Sequence, residues 1–340
     1  MTTLYLSEQG ATLAKRDERL VVRKNGRSLS ELPLLQLRQI VIFGNAVLTT
    51  PLVPVLLRRG IPVCYLSQSG RYRGRLQPAW DKNAALRRVQ YLRAANPTFC
   101  LAVSRAIVTG KSLNMRAFVR RQRCGRGAAQ QASAMLTRLA RQAGAAKSLD
   151  ELRGYEGAAT AAYYHAWGRF IKPEVARKLP FPGRTRHPPR DPVNALLSLG
   201  YTLLYQEVLT ALSLVGLDPY CGFLHQLKQG HAALASDLAE EWRATLVDSV
   251  VLTALNRREI TPGDFRQSRA GIRLTHEGLQ SFLRRYEARL TTRTRHPRLN
   301  LSADGGGGQV SYRRCLELQA RELADLLLGR TESYRPFLIH

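Results

Sequence analysis

The sequence has no run of about 18 apolar residues, so it offers no evident membrane-crossing helix. Its start, MTTLYLSEQGATLAKRDERL, lacks the basic, apolar, small-residue order of an export signal, and a cytoplasmic protein with no membrane partner is expected. Cysteine is scarce: Cys64, Cys100, Cys124, Cys221 and Cys315 are odd in number, far apart, and form no C-x-x-C. That excludes a disulfide framework and a thiolate zinc site, leaving reduced packing residues. No repeat of fixed period appears. Acids are few as well, with 25 Asp and Glu against 52 Lys and Arg, a net charge of +27. The 340 residues are 44% hydrophobic, enough for a large core, so disorder is excluded.

A basic excess of this size points to a polyanion, nucleic acid first. Most of the cations are arginine, which suits bidentate phosphate contacts, although an Arg-rich genome would give the same ratio. Where the charge sits says more. Between Asp81 and Asp150 there is no acid, while Lys82, Arg87, Arg88, Arg93, Arg105, Lys111, Arg116, Arg120, Arg121, Arg123, Arg126, Arg138, Arg141 and Lys147 all fall there. A solvated helix face normally mixes signs for i,i+4 pairing, so a phosphate-binding surface is the better expectation, with Arg120, Arg121 and Arg123 its DNA-binding candidates. From Glu207 to Asp248 the balance inverts: Glu207, Asp218, Asp237, Glu240, Glu241 and Asp248 face only Lys228 and Arg243. Acids gathered in a basic protein suggest a cation held among them.

Two regions follow from the hydrophobic pattern. Up to residue 76, short apolar and β-branched runs (Leu4 to Leu6, Ala11 to Lys15, Leu20 to Lys24) alternate with Gly- or Asp-containing turns, and RQIVIFGNAVLTT reads as strand, turn, strand. Thr50 as cap and Pro51 at the first position open one helix that Gly60 ends. Ile61 to Leu66 and Tyr72 to Leu76 add two strands. After a linker at 77–83, apolar residues recur three and four apart, and 84–340 is expected to be α-helical, with exposed loops at Leu179 to Pro192 and Ala303 to Gly308. The class is α+β: a small N-terminal β domain, 1–76, before a larger all-α domain.

Two segments could carry chemistry. In GYEGAATAAYYHAWGRF, Glu156 is read near a helix start among small residues that allow a close approach; the competing role is a first-turn Glu answering the helix dipole. In GFLHQLKQGHAALASDLAEEWR, His225 precedes a Gly-containing loop and a helix on which Asp237 shares faces with Glu240 and Glu241. Adjacent carboxylates repel unless a cation or proton intervenes. One imidazole with carboxylates suits Mg²⁺ or Mn²⁺ better than structural zinc, although a lone His near acids is also a common structural residue. The other histidines fit no ligand spacing.

TLYLSEQGATL, IVIFGNAVLTTPLVPVLLRRGIPVCYLSQSGRYRGRL, GYEGAAT, DPVNALLSLGYTLLYQEVLTALSLVGLDPYCGFLH, DLAEEWR, LTHEGLQSFLRRYEARL and YRPFLI, in that order, resemble the CRISPR-associated integrase family, the endonuclease-type subunit that inserts new spacers into CRISPR arrays. The resemblance implies a metal site of Glu156, His225 and Glu240 with Asp237 as supporting acid, holding Mg²⁺ or Mn²⁺. It implies the joining of prespacer 3′-hydroxyl ends to the CRISPR repeat by transesterification. It also implies a homodimer formed largely through the β domain, two such dimers flanking a dimer of the small second CRISPR-associated protein, and double-stranded DNA as substrate. QLKQGHAALAS departs from the family's usual stretch after the histidine, a departure that bears on the loop geometry and DNA contacts near Lys228 and His231 and not on the ligands. Lys228 and Arg243 either hold phosphates beside the metal or pair with Asp237 and Glu241. Two other functions share these features: a general metal-dependent nuclease on branched or single-stranded DNA, and a non-enzymatic basic DNA-binding protein.

Overall fold

Alternating apolar residues build the N-terminal strands. In a computed structural model of the chain, whose described residues are 2–78, 83–185, 189–268, 271–301 and 308–339, the chain divides into Met1–Trp80 and Asp81–His340. The first unit holds β1 (Thr2–Leu6), β2 (Ala11–Arg16), β3 (Arg19–Lys24), β4 (Arg27–Pro33), β5 (Leu37–Phe43), β6 (Ala46–Leu48), α1 (Leu52–Arg58), β7 (Val63–Leu66) and β8 (Tyr72–Leu76). Its two four-stranded sheets run β1-β5-β7-β8 and β4-β3-β2-β6. The strand and turn read in RQIVIFGNAVLTT are present, but β5 and β6 belong to different sheets. β5 lies parallel between β1 and β7, and β6 pairs parallel with β2. Leu13, Leu20, Ile40, Ile42, Leu52 and Leu56 from both sheets and α1 meet in one core. The Thr50 side chain does not cap α1: the carbonyls of Thr49 and Thr50 take the N–H groups of Leu52 and Val53, so the helix begins a residue later.

The second unit is mostly helical: α2 (Ala84–Ala94), α3 (Pro97–Arg120), α4 (Arg126–Ala145), α5 (Leu149–Trp167), α6 (Pro173–Ala176), α7 (Pro192–Val215), α8 (Ala233–Ala239), α9 (Ser249–Asn256), α10 (His276–Thr291) and α11 (Tyr312–Leu327). It is not purely helical, because β9 (Phe265–Ser268) pairs with β10 (Gly271–Leu274), and β11 (Arg293–Arg295) with β12 (Gln309–Ser311). Asn83, Asn96, Ser148 and Asp191 cap α2, α3, α5 and α7, each accepting from a first-turn N–H. Val108, Ala143, Leu152 and Leu224 knit α3, α4 and α5 to the loop ahead of α8. α7 is long and apolar enough to cross a membrane by composition, but most of it is buried as a core helix. Its buried Glu207 pairs with Arg313 of α11 at 3.2 Å. Residues 79–82 of the linker, 186–188 of the Pro-rich loop with His187, and 303–307 of the Gly-rich loop lie outside the described residues. The five cysteines are free thiols.

Candidate active site

Ser148 sets the frame of α5. Its side chain accepts from Glu151 N at 3.2 Å, which makes Asp150 and Glu151 the first-turn acids. Glu156 therefore lies two turns in, not at the helix start, and the dipole role falls to Asp150 and Glu151. On the neighbouring α3, Lys111 is only 2% exposed. Its ammonium pairs with Glu156 Oε1 and stands 2.6 Å from Glu240 Oε2. Thr160 Oγ1 donates to the same Glu156 oxygen at 3.1 Å. Glu156 also borders a groove of about 760 Å³ lined by Thr160, Tyr164, Arg169, Phe181 and Arg184.

Glu240 follows the last turn of α8, where the chain tightens into a 3₁₀ turn (Glu240–Trp242) and then widens into a π turn (Arg243–Asp248). This change of winding separates acids that a continuous α-helix would place on shared faces. Asp237 turns to the loop before α8, Glu240 to Lys111 and Arg243, and Glu241 to the C-terminal segment. There Tyr334 Oη and Phe337 N donate to Glu241 at 2.6 and 2.9 Å. Burial pushes Glu241 up to about 8 against those hydrogen bonds. Arg243 Nη2 lies 2.9 Å from Glu240 Oε1. Burial works against a charged Glu240, yet Arg243 and Lys111 prevail and hold its pKa at about 2. Apart from the Lys111 ammonium, the buried Glu240 Oε2 has no hydrogen-bond partner among the described residues.

Asp237 is fully buried. Its Oδ2 accepts from Phe223 N (2.6 Å) and Leu224 N (3.0 Å), and its Oδ1 accepts from His225 N (3.0 Å) and lies 2.6 Å from His225 Nδ1. One carboxylate thus shapes the loop and fixes the imidazole through Nδ1. The hydrogen bond to Asp237 raises the His225 pKa. Gly222 permits the fit, since a Cβ there would come 2.8 Å from Asp237 Oδ2 and from Ala233. His231, outside any expected spacing, sets its ring 6.0 Å from that of His225.

Behind Arg243, Tyr201 places its ring 5.1 Å from the guanidinium and donates its hydroxyl to Asp248. Tyr163 donates to the other Asp248 oxygen at 2.8 Å. Burial pushes Asp248 up to about 6 despite these donors.

The acids of 207–248 therefore serve separate partners rather than one cluster. Among the described residues no three His, Cys, Asp or Glu side chains stand at metal-ligand spacing. The donor chemistry still fits a hard divalent ion: carboxylates from α5 and the turn after α8 meet at one cation, here the Lys111 ammonium, with a Glu240 oxygen that has no other partner among the described residues and an imidazole held by Nδ1. Arg243 pairs with Glu240 rather than Asp237 or Glu241. Lys228 is exposed. Arg120, the last residue of α3, and Arg121 and Arg123 just after it are exposed and line, with Arg126, Gln130 and Ser133, a recess of about 630 Å³. Lys111 is the residue the sequence reading missed.

The family model for CRISPR-associated protein Cas1 matches residues 4–288. A CRISPR-associated endonuclease Cas1 of Thermus thermophilus is 40% identical over 98% of this chain and 94% of its own length. The structure of a Cas1 protein from Thermotoga maritima superposes with a TM-score of 0.81 at 26% identity, covering 100% of both chains. A chain of a Cas6-RT-Cas1–Cas2 complex gives 0.83 at 28% identity over 99% of this chain, which spans 36% of that longer one.

Proposed function

We infer the activity from the family: this chain belongs to the Cas1 family of CRISPR-associated proteins, and its site is best explained as that of a DNA integrase and endonuclease of CRISPR adaptation. The observation that carries this is the meeting of Glu156 and Glu240, from separate segments, at a single buried cation. A buried carboxylate such as Glu240 is costly without a cation beside it, which Lys111 and Arg243 supply here and a divalent ion would supply when bound. Glu156, Glu240 and His225 Nε2 would hold Mg²⁺ or Mn²⁺. A bound divalent ion supplies polarisation of a phosphoryl oxygen and a lower pKa for the attacking hydroxyl.

The chain's own residues do the rest. Asp237 keeps His225 in one tautomer and orientation. Arg243, held over Tyr201, orients Glu240 and presents positive charge beside it. Lys228, on the exposed loop after His225, and Arg120, Arg121 and Arg123 hold phosphates of the DNA. In the reaction, the donor 3′ hydroxyl gives up its proton to solvent as its oxygen forms a new P–O bond, the P–O3′ bond at the repeat boundary breaks, and the displaced 3′ oxygen takes up a proton in turn. One ester replaces another, so no external energy source is required. A homodimer through the β unit and a dimer of the small second CRISPR-associated protein complete the assembly we propose, in keeping with the likeness to a chain of a Cas6-RT-Cas1–Cas2 complex. Such a protein works in the cytoplasm.

The test is strand transfer with the second protein, a 3′-hydroxyl duplex and a repeat-bearing plasmid. Glu156→Gln, His225→Ala and Glu240→Gln should each abolish joining with the helical content kept; normal joining by any one removes that residue from the site. With water as nucleophile the same centre would act as a general nuclease, and products made only by nicking would favour that alternative.

A further inference from the structure

Lys111 is the one cation that touches both Glu156 and Glu240 among the described residues, and its place in α3 is fixed from both sides. At Gly110 the missing side chain admits Pro336, whose ring occupies the space a Cβ would need. One turn on, the Asn114 amide donates to Glu241 O at 2.9 Å and Phe337 O at 2.8 Å, and its oxygen accepts from Ile339 N at 2.9 Å. Ser112 is buried and tied back to Val108 O at 2.9 Å. These contacts hold the backbone of α3 at Lys111, and the side chain is 1% exposed, so what can move the ammonium off the two carboxylates is rotation about its own flexible four-carbon stem. A lysine sealed this way is not one of the phosphate-facing cations that its acid-free surroundings suggest.

Charge counting gives it a role. Glu156 and Glu240 contribute two negative charges, and Lys111 and Arg243 two positive ones, so the cluster is neutral as it stands. A divalent ion among the same carboxylates would leave it at +2 with the ammonium in contact range. We propose that Lys111 is a built-in counter-ion that keeps the carboxylate pair folded and charged until a divalent ion arrives, and that it sets the ion concentration at which the site fills, because the ion must displace it. The proposal rests on the metal-centre function above. It makes Lys111 a positioning residue with two opposed effects: it stabilises the ion-free protein and weakens ion binding.

The experiment compares full-length wild type with Lys111→Met and Lys111→Arg, by thermal unfolding in EDTA and by titration with Mn²⁺ followed by electron paramagnetic resonance of the free ion. Lys111→Met keeps the buried stem but removes the charge. It should melt below wild type in EDTA, bind Mn²⁺ at a concentration at least roughly tenfold lower, and gain more in melting temperature on saturation than wild type does. Lys111→Arg, which retains the charge, should bind Mn²⁺ close to the wild-type concentration. If wild type binds and Lys111→Met binds equally or more weakly, the counter-ion role is overturned and the metal centre stands. If wild type binds no Mn²⁺, the metal centre itself fails and this role with it. Should Lys111→Met not be obtained folded, the eight lysines can be followed in wild type by ¹³Cε NMR during Mg²⁺ titration. The Lys111 signal should move at the same midpoint as Mg²⁺ binding, and a signal that stays put while Mg²⁺ binds overturns the proposal.

Discussion

Replacing Asp237 by Asn changes one oxygen to NH₂ in a pocket built wholly of donors. The carboxylate now accepts four contacts, from Phe223 N and Leu224 N on one oxygen and from His225 N and Nδ1 on the other. If the new NH₂ replaced Oδ2 it would face two backbone N–H groups, neither of which can change role. If it replaced Oδ1 it would face one backbone N–H and an imidazole that can switch tautomer. The second orientation costs less: one orphaned buried N–H, about 1–3 kcal/mol. That same orientation makes Nδ1 an acceptor and moves the proton to Nε2, the nitrogen wanted for the ion. Asp237→Asn should therefore lose about 1–3 kcal/mol of stability and about 10- to 100-fold in Mn²⁺ affinity and joining. The hydrogen bond to Asp237 raises the wild-type His225 pKa, so its stabilisation is present below the ordinary histidine pKa and fades as pH rises through the raised one. The stability gap between wild type and variant should accordingly be widest in acid. Denaturant unfolding at several pH values and ¹⁵N NMR of the imidazole measure both effects. A variant with wild-type stability and an imidazole still protonated at Nδ1 would refute the reasoning.

Asp248 titrates at about 6 in the fold, above the ordinary value for aspartate. A raised carboxylate pKa means the folded state binds the proton more tightly, so wild type should lose up to about 3 kcal/mol between pH 4 and 6, and Asp248→Asn should flatten that slope; parallel stability curves would contradict it. Reversing Arg120, Arg121 and Arg123 to Glu should weaken binding to generic duplex and flatten its dependence on salt, because phosphate contacts release counterions; an unchanged salt slope places the DNA elsewhere. Tyr201→Phe removes the hydroxyl that Asp248 accepts but keeps the ring beneath Arg243, so joining should fall less than in Tyr201→Ala, and equal losses would show that the ring does not seat Arg243.

What the sequence made legible follows from burial and period. β2 alternates buried and open positions, and β3 carries the continuous buried run Leu20, Val21 and Val22, so both read directly. β4, an edge strand with no fully buried residue, carries the polar run RSLSELP and gives no such signal. The spacing of GYEGAAT located Glu156 but not its depth in α5, which depends on Ser148 as cap. His225 and Asp237 were legible as a pair of residue types, whereas the loop closing on one carboxylate needs Gly222 and the packing of α8. The 3₁₀-to-π change after α8 has no sequence period, so Asp237, Glu240 and Glu241 looked like neighbours on shared faces when they serve three different partners. Lys111 was hidden by company: in an acid-free arginine-rich run it resembles a phosphate contact, and only the packing of α3 against α5 and the turn at Glu240 reveals it as an internal ion pair.

The most direct measurement is donor-end dependence of covalent joining, run with the purified small second CRISPR-associated protein, a labelled duplex, a supercoiled repeat-bearing plasmid, and Mn²⁺, Mg²⁺ or EDTA. A free 3′ hydroxyl should give labelled plasmid with either ion and none in EDTA. A 3′ dideoxy or 3′ phosphate donor should give none under any condition, and Glu240→Gln should match EDTA. Identical products from free and blocked donors, all accounted for by nicking, or joining that persists in Glu240→Gln, would contradict the integrase assignment and the site built on Glu156, His225 and Glu240.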